Sequence, residues 1–160
     1  GITSDTNGDI YVADWGNDRI QKFTSKGDHI ASYGTSGSGA GQFNRPADIA
    51  VATDGKMYVA DWGNQRLQVL NKDGSFITSN KGEAVEHNPW LVEYFDAVQD
   101  EKKARETFVP YFEVDTDDPH EISARLEPYF WDPCNVLLDD NDRVYVLESV
   151  RHRFQVFQIN

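Results

Sequence analysis

The strongest constraint on this chain is an internal repeat. The segment Tyr11–Gln21 returns almost unchanged as Tyr58–Gln68, with an offset of 47 residues between Asp14 and Asp61. Self-similarity at a fixed spacing of this size is typical of repeat architectures, in which each unit is one supersecondary motif stacked on its neighbours. The fold is therefore expected to consist of units of this length.

Each unit has the pattern of short strands joined by tight turns. Val, Ile, Tyr and Phe recur at period two, and Gly, Asn and Asp interrupt the runs. The pairs Asn7-Gly8, Asp54-Gly55 and Asp73-Gly74 indicate hairpin turns, because glycine supplies the positive φ that such turns need. The chain is thus predicted to be all-β, and each unit to be a meander of about four antiparallel strands, as in a propeller blade.

The unit boundaries follow from the offsets. The second unit predicts strands over Asp48–Ala52, Lys56–Asp61, Gln65–Asn71 and Ser75–Ser79, and the first unit matches it from Gly1–Ser4 onward. A third, degenerate copy over Tyr145–Val156 aligns with Tyr58 onward at an offset of 87 residues, 40 more than the first offset. We therefore predict blade one over 1–40, blade two over 41–80, an acidic insertion over 81–127 and an incomplete blade three over 128–160.

Three short motifs recur in these units. In the second unit they are Gly41-Gln42-Phe43-Asn44 with Pro46, then Met57-Tyr58-Val59-Ala60-Asp61, then Asn64 followed by Arg66-Leu67-Gln68. Together they resemble the NHL repeat. The resemblance is specific in the first two units and weaker in the third, where Glu148-Ser149-Val150-Arg151 replaces Asp-Trp-Gly-Asn. It implies a β-propeller, a fold that is commonly six-bladed in this family.

Three blades do not close a propeller, because the outer faces and edges of the end blades stay open to water. We expect the chain to be half of a six-bladed ring with a small helical insertion. Either it is part of a longer protein that supplies the remaining blades, or it closes the ring as a homodimer, since closed symmetric pairs are the commonest oligomers. In both cases we expect the isolated chain not to persist as a monomer.

Charge and hydropathy exclude two classes of partner. The net charge is −12, with 27 acidic against 15 basic residues, so no clustered basic face for nucleic acid is expected. No apolar run approaches the roughly 20 residues of a membrane span. The single cysteine, Cys134, allows no disulfide within the chain and is expected to be a small buried residue. The compartment stays undetermined.

Most of the excess negative charge lies in the insertion, which contains 13 acidic and five basic residues. The periodicity also changes there, because Leu91, Phe95 and Val98 follow at helical spacing after Asn88-Pro89. An amphipathic helix is predicted over Pro89–Thr107, with a second, shorter helix opened by a capping box at Asp118–Glu121. The helix carries Trp90, Tyr94 and Phe95, which either pack on the neighbouring blade or bind a partner.

The repeated turn carries the other candidate residues. Asp14 and Asp61 precede a Trp-Gly-Asn turn, and Arg19 and Arg66 follow five residues later. We predict structural Asp–Arg pairs across these hairpins, with Asn17 and Asn64 bonded to the turn backbone. Recurrence in two blades favours a structural role, since catalytic residues are usually unique. Trp15 and Trp62 are candidate binding residues, or they pack on the adjacent blade.

No catalytic residue, cofactor or metal is predicted. The histidines His29, His87, His120 and His152 show no zinc-ligand spacing. Two function classes stay open: a non-catalytic protein-interaction scaffold whose insertion sets specificity, and a portion of a propeller hydrolase or lyase whose active residues lie mainly outside this chain. We favour the scaffold, because the distinctive features are exposed aromatic residues and an acidic insertion rather than a catalytic constellation.

Overall fold

The computed structural model describes residues 1–82, 89–107, 115–126 and 128–158. These residues form three antiparallel sheets, a short parallel ribbon and three helices. The all-β propeller architecture predicted from the repeats is confirmed, with one sheet for each blade. No helix among the described residues is long and apolar enough to span a membrane.

Blade one is a four-stranded meander in the order of the sequence. Its strands are β1 (Ile2–Ser4), β2 (Ile10–Asp14), β3 (Arg19–Phe23) and β4 (His29–Tyr33). Each pair is antiparallel, and Asp14 lies directly opposite Arg19 across the β2–β3 turn. That turn is a single 3-10 turn over Trp15–Asn17, closed by Asp18 in the left-handed conformation with φ +53°.

The connection from blade one to blade two contains a short parallel strand pair that the sequence pattern does not predict. Strand β5 (Thr35–Ser36) pairs in parallel with β6 (Gln42–Phe43). Gly34 makes this possible, because its φ is +85° and a Cβ there would lie 2.3 Å from the ring of Phe43. The Phe43 ring is fully buried and fixes the connection to the core.

Blade two repeats the meander with β7 (Pro46–Val51), β8 (Met57–Asp61), β9 (Arg66–Leu70) and β10 (Phe76–Asn80). These bounds agree with the predicted strands to within two residues. The hairpin glycines Gly55 and Gly74 have φ of +90° and +86°, as the turn pairs predicted. The 3-10 turn Trp62–Asn64 repeats that of blade one.

The insertion contains α1 (Pro89–Ala97), α2 (Gln99–Thr107) and α3 (Pro119–Arg125). The prediction of one helix over Pro89–Thr107 is wrong, because the helix breaks at Val98. The Val98 amide donates to the carbonyls of both Tyr94 and Phe95, and the Gln99 side chain donates to the Asp96 carbonyl at 2.9 Å. The break coincides with the change from apolar α1 to highly charged α2.

The start of α3 departs from the predicted capping box. The Asp118 carboxylate caps the helix by accepting from the His120 amide at 2.8 Å. The Asp118 amide, however, donates to the Thr116 hydroxyl at 3.2 Å instead of to Glu121. The chain leaves and re-enters the propeller at one point, where the Phe130 amide donates to the Lys81 carbonyl at 2.7 Å.

Blade three has β11 (Pro133–Leu138), β12 (Arg143–Glu148) and β13 (Arg153–Gln158). The three inner strands β1, β7 and β11 pack side by side, and two apolar clusters fill the spaces between blades. Tyr11, Ile20 and Val59 belong to the cluster between blades one and two; Tyr58 and Val146 belong to the one between blades two and three. Each blade is therefore stabilised by burial of apolar surface against its neighbour.

The outer faces of the end blades are apolar and open. Leu137 and Phe154 of blade three are each 61% exposed, and Ile2 of blade one is 70% exposed. Cys134 is half-buried rather than fully buried, and its Sγ donates to the Leu147 carbonyl at 3.6 Å. Burial raises the pKa of the Cys134 thiol.

Candidate functional site

A fully buried carboxylate closes the tip of blade two. Asp61 accepts hydrogen bonds from the Asn44 amide (2.8 Å), Asn64 Nδ2 (2.8 Å), Arg66 Nε (2.8 Å) and Gln68 Nε2 (3.0 Å). Its side chain is 0% exposed. Four donors around one carboxylate satisfy its acceptor capacity, which is the condition for burying a charge.

The Arg66 guanidinium extends this network to the segment that enters the blade. Its Nη1 donates to the Ser38 carbonyl at 2.8 Å, and its Nη2 donates to the carbonyls of Gly39 and Gln42 at 2.9 Å each. Asn64 adds a bond to the Gly37 carbonyl at 2.9 Å. We call the segment before an inner strand its entry connection, here residues 37–45. The Arg66 fork thus holds the entry connection of blade two by three backbone carbonyls.

Blade three repeats the arrangement with a longer carboxylate. Glu148 is buried and accepts from the Trp131 amide (2.8 Å), Arg153 Nε (2.7 Å) and Gln155 Nε2 (2.9 Å). Arg153 Nη2 donates to the carbonyls of Pro128 and Tyr129 at 3.4 and 3.1 Å. The entry connection of this blade is residues 128–132. The degenerate third repeat has therefore kept the arrangement, with Glu148 in place of the aspartate and with the arginine and glutamine unchanged.

We call the carboxylate, arginine and glutamine of one blade its entry clamp. The three entry clamps are Asp14, Arg19 and Gln21 in blade one, Asp61, Arg66 and Gln68 in blade two, and Glu148, Arg153 and Gln155 in blade three. The structure places both predicted Asp–Arg pairs in contact, at 2.9 Å in blade one and 2.8 Å in blade two.

Two details of the clamp differ from the sequence analysis. Asn17 and Asn64 were predicted to bond the turn backbone, but each donates to the carboxylate of its own blade at 2.8 Å. The sequence analysis also did not predict that a glutamine donates to the carboxylate in each blade. Its signal is a Gln seven residues after the carboxylate in all three units, at Gln21, Gln68 and Gln155.

A row of three aromatic rings lies at the same end of the blades. The centroids of Trp15 and Trp62 are 4.9 Å apart, and the His120 ring packs on Trp62 at 4.7 Å, edge to face. Trp15 is 43% exposed. We call Trp15, Trp62 and His120 the aromatic row. It joins the tips of blades one and two to the start of α3.

His120 is held from its other side. Its Nδ1 lies 3.2 Å from the Asp132 carboxylate, which also accepts from Gln65 Nε2 at 3.2 Å. The Asp132 amide in turn donates to Gln65 Oε1 at 2.7 Å. The sequence gives no signal for His120, because the contact joins the insertion to a turn 58 positions earlier, at Trp62.

A polar cavity of about 430 Å³ opens beside the aromatic row. Its walls are Asn44-Arg45, the Trp62-Gly63 turn and the Asp118-Pro119-His120 start of α3. Gly63 is required in this wall, because a Cβ there would lie 2.4 Å from Asn44 Cγ. An indole, a guanidinium and a carboxylate around one opening suit recognition of a polar group.

The predicted binding residues of the insertion behave differently from one another. Tyr94 is 39% exposed on α1, whereas the neighbouring Phe95 ring is 5% exposed, so Phe95 offers little surface to a partner. Their ring centroids are 5.8 Å apart. The side chain of Trp90 lies outside the described residues.

A second cavity of about 400 Å³ lies along the inner strands β1, β7 and β11. Its buried carboxylate, Asp48, accepts from Asn135 Nδ2 at 2.5 Å and from the Val136 amide at 3.0 Å. Asp48 thus bonds blade two to blade three. Within the described ranges no group of three or more His, Cys, Asp or Glu side chains is arranged to hold a metal ion.

Comparison with known proteins supports the fold. The NHL repeat profile matches residues 1–23 and 43–70. Two structures of virginiamycin B lyase from Staphylococcus aureus, one a catalytically inactive form with quinupristin, share 16% identity at a TM-score of 0.50. A phosphatase candidate from Bacteroides thetaiotaomicron shares 16% identity at a TM-score of 0.53. No curated protein sequence matches the chain.

These alignments cover 99% to 100% of this chain but only 40% of the lyase chains and 35% of the phosphatase candidate. The chain therefore spans well under half the length of its structural neighbours. At such identity the likeness shows the fold alone. The repeat profile and the three blades together show that residues 1–23 and 43–70 are NHL repeats within a β-propeller fold.

Proposed function

We propose that this chain is part of a non-catalytic protein-interaction scaffold, and that the aromatic row and its cavity bind the partner. The observation that carries the proposal is the contact between the exposed Trp15 ring and the half-buried Trp62 ring, which in turn packs against His120 of the insertion. Tryptophan rings at a surface supply large, rigid apolar area and dominate the energetics of many interfaces.

The chemistry around the row indicates what kind of partner fits. Asp118 and Asp132 flank His120, and the whole chain carries a net charge of −12. A partner loop that presents Lys or Arg would place its cation over an indole ring and near these carboxylates. The association rate of such a pair falls as salt rises, because long-range attraction between opposite charges is screened.

The insertion contributes to the same surface. Arg151 Nη2 in blade three donates to the Ser123 and Leu126 carbonyls, at 2.6 and 3.2 Å, so α3 is fixed on the propeller. Because His120 lies on α3, the insertion completes one wall of the cavity. This arrangement supports the insertion as the element that sets specificity.

The test compares proteins retained by the wild-type chain and by two variants. Trp15→Ala removes the exposed ring of the row. Phe76→Ala is the matched control, because Phe76 is similarly exposed at 38% and opens β10 at the opposite end of blade two. A partner identified from the retained set is then titrated calorimetrically. We expect at least a tenfold weaker affinity for Trp15→Ala, since a hot-spot residue contributes roughly 2 kcal/mol.

Equal affinity of both variants would overturn the proposal. The alternative, a portion of a hydrolase or lyase, has its only support in the cavity along the inner strands. This alternative would be supported if the larger protein had an enzymatic activity that Asp48→Asn abolished and Trp15→Ala left unchanged.

A further inference from the structure

The aromatic row continues into a position where the repeat itself has no ring. Trp15 and Trp62 are equivalent at the offset of 47 residues, and the residue equivalent to Trp62 at the offset of 87 is Ser149. The His120 ring packs on Trp62 at 4.7 Å, close to the 4.9 Å between the two tryptophans. His120 and Ser149 both contact Asp132, because the Ser149 amide donates to the Asp132 carbonyl at 3.1 Å. The insertion therefore supplies an imidazole where blade three lacks an indole.

The contact with Asp132 determines which nitrogen of this imidazole is free. His120 Nδ1 lies 3.2 Å from Asp132 Oδ1, and a carboxylate can only accept, so Nδ1 carries a proton. In the neutral imidazole Nε2 is then a hydrogen-bond acceptor. Asp132 is itself held, because Gln65 Nε2 donates to the same oxygen and the Asp132 amide donates to Gln65 Oε1 at 2.7 Å. Asp132 is thus a positioning residue for His120.

The free nitrogen, Nε2, is directed toward the polar cavity beside the row. His120 is one of the cavity walls and Asp132 is not. The two nitrogens of an imidazole point to opposite sides of the ring, so Nε2 points away from Asp132 when Nδ1 faces it. Among the described residues Nε2 has no hydrogen-bond partner, and the His120 side chain is 34% exposed. Nε2 is therefore available to a ligand.

A second wall of the cavity offers hydrogen-bond donors. Arg45 is exposed there, and its backbone amide donates to Asp18 Oδ1 at 2.7 Å, which holds the residue in place. In the part of the chain that the structure describes, its guanidinium makes no hydrogen bond. Asp118 lies in the same cavity with the opposite charge, so a neutral ligand meets no excess of either sign. An acceptor, a set of donors and the flat Trp62 ring match the N–H, the carbonyl and the planar shape of an amide.

We propose that this cavity binds a neutral amide group of the partner, with its N–H on His120 Nε2 and its carbonyl on the Arg45 guanidinium. The inference rests on the proposed function, because it names the group that the aromatic row and its cavity recognise. Backbone amides and the side chains of Asn and Gln have this chemistry. His120 determines the specificity, since an indole at the same place would offer a donor and no acceptor.

The first test measures the tautomer of His120 in the free chain. Nitrogen-15 NMR of the imidazole is recorded at about pH 8, where a histidine is ordinarily neutral. We expect the proton on Nδ1. Asp132→Gly should abolish this preference without straining the backbone, because the φ of Asp132 is +59° and glycine tolerates that value. Asp132→Asn should restore it, because the amide oxygen can accept the same hydrogen bond.

The second test uses two probes that differ only in a donor. N-methylacetamide has an N–H and a carbonyl, whereas N,N-dimethylacetamide has the carbonyl alone. Each probe is titrated into the full chain, and the signals of Trp62 and His120 are followed by NMR. We expect N-methylacetamide to bind roughly fivefold more tightly, since one hydrogen bond distinguishes the two probes.

Three variants make this preference specific. His120→Phe keeps a ring on Trp62 but has no acceptor, so the two probes should bind it equally. Asp132→Gly should also remove the preference, without changing the ring. Arg45→Met is the matched control, because both probes carry the carbonyl that Arg45 binds; it should weaken both to the same degree and leave the preference intact.

The proposal would be overturned by a proton on Nε2 in the wild-type chain, by equal or absent binding of the two probes, or by a preference that survives His120→Phe. All of these are measured without a partner. They can therefore fail while Trp15→Ala still weakens the partner. Conversely, unchanged partner affinity in Trp15→Ala would overturn the proposed function and leave the probe results standing.

Discussion

Arg66 Nε lies 2.8 Å from Asp61 Oδ2 in a site where the carboxylate is completely buried, whereas the equivalent Arg19–Asp14 pair is 2.9 Å long and partly open to water. The two Asp–Arg pairs therefore have nearly the same bond length but differ in how deeply the carboxylate is buried. The carboxylates are 0% and 18% exposed. A comparison of the two pairs can therefore separate the effect of burial on stability from the effect of the Asp–Arg hydrogen bond.

Removing the two carboxylates should consequently have unequal effects. Asp61→Ala leaves a buried guanidinium and three other donors without their acceptor, so we expect the free energy of unfolding to fall by about 3 kcal/mol. Asp14→Ala leaves donors that water can reach, so we expect a loss of about 1 kcal/mol. Urea unfolding of both variants measures the difference. Equal losses would show that burial does not govern the clamp.

The Asp14 carboxylate should also make stability depend on pH. Hydrogen bonds from Arg19 and Asn17 hold the pKa of Asp14 below its usual value of 3.8. A carboxylate whose folded-state pKa is lowered contributes stability above the unfolded pKa, and this contribution is lost as pH falls through the folded-state pKa. The stability difference between wild type and Asp14→Asn, followed by urea unfolding from pH 6 to pH 2, should therefore be largest near pH 6 and shrink below about pH 4. A difference that is constant across this range would contradict the assignment.

The features of the structure that could be predicted from the sequence are those that depend on local residue periodicity. The strand pattern, the turn glycines and the offset of 47 residues between Asp14 and Asp61 depend on short-range chemistry that each blade repeats. Propensity and pattern therefore determined the blades and the Asp–Arg pairing. The break at Val98 was missed because no Gly or Pro marks it in the sequence; at the break the Gln99 side chain donates to the Asp96 carbonyl.

The parts that the sequence did not predict depend on contacts between units. His120 meets Trp62 only because the insertion returns to the propeller beside the tip of blade two. The sequence pattern predicts the clamp arginines only as partners of a carboxylate, but most of the Arg66 hydrogen bonds are to backbone carbonyls of the entry connection. Every residue has a backbone carbonyl, so the amino-acid sequence does not indicate which carbonyls accept from an arginine. The role of Arg66 in holding the entry connection therefore becomes visible only in the structure.

Deletion of the insertion should leave a folded propeller. Gly82 and Pro128 are adjacent, since a Cβ on Gly82 would lie 2.6 Å from the Pro128 carbonyl oxygen, so a short Gly-Ser bridge can replace residues 83–127. We expect native-like circular dichroism together with weaker binding of the partner and a loss of the salt dependence of its association rate. The wild-type chain at the same salt concentrations is the control. Unchanged affinity would show that the insertion has no part in recognition.

The open apolar faces should make the chain associate with itself. Leu137 and Phe154 form part of an uncovered sheet face on blade three, and burial of such side chains against another face is favourable by roughly 1.5–3 kcal/mol each. We expect light scattering to report species larger than the monomer, and Phe154→Lys to reduce them. A stable monomer of the wild-type chain at high concentration would contradict this expectation.

The last prediction uses two glycines at the same position of the repeat. Gly63→Ala places a methyl group 2.4 Å from Asn44 Cγ and 2.7 Å from its carbonyl oxygen, and the backbone cannot move away without breaking the bond from the Gly63 amide to that carbonyl at 2.8 Å. We expect the free energy of unfolding to fall by about 3 kcal/mol, at the upper end of the cost of overpacking.

Gly16→Ala is the matched control, because its added methyl group meets nothing within 4 Å. We expect this substitution to be neutral or to stabilise the chain by up to about 1 kcal/mol, through the smaller conformational entropy of the unfolded state. The two variants are compared by urea unfolding at one temperature. If Gly63→Ala proved as harmless as Gly16→Ala, the entry connection of blade two would not be packed on its clamp as closely as the structure shows. The contrast therefore tests the close packing of the Gly63 turn on Asn44, which holds the entry connection of blade two in place.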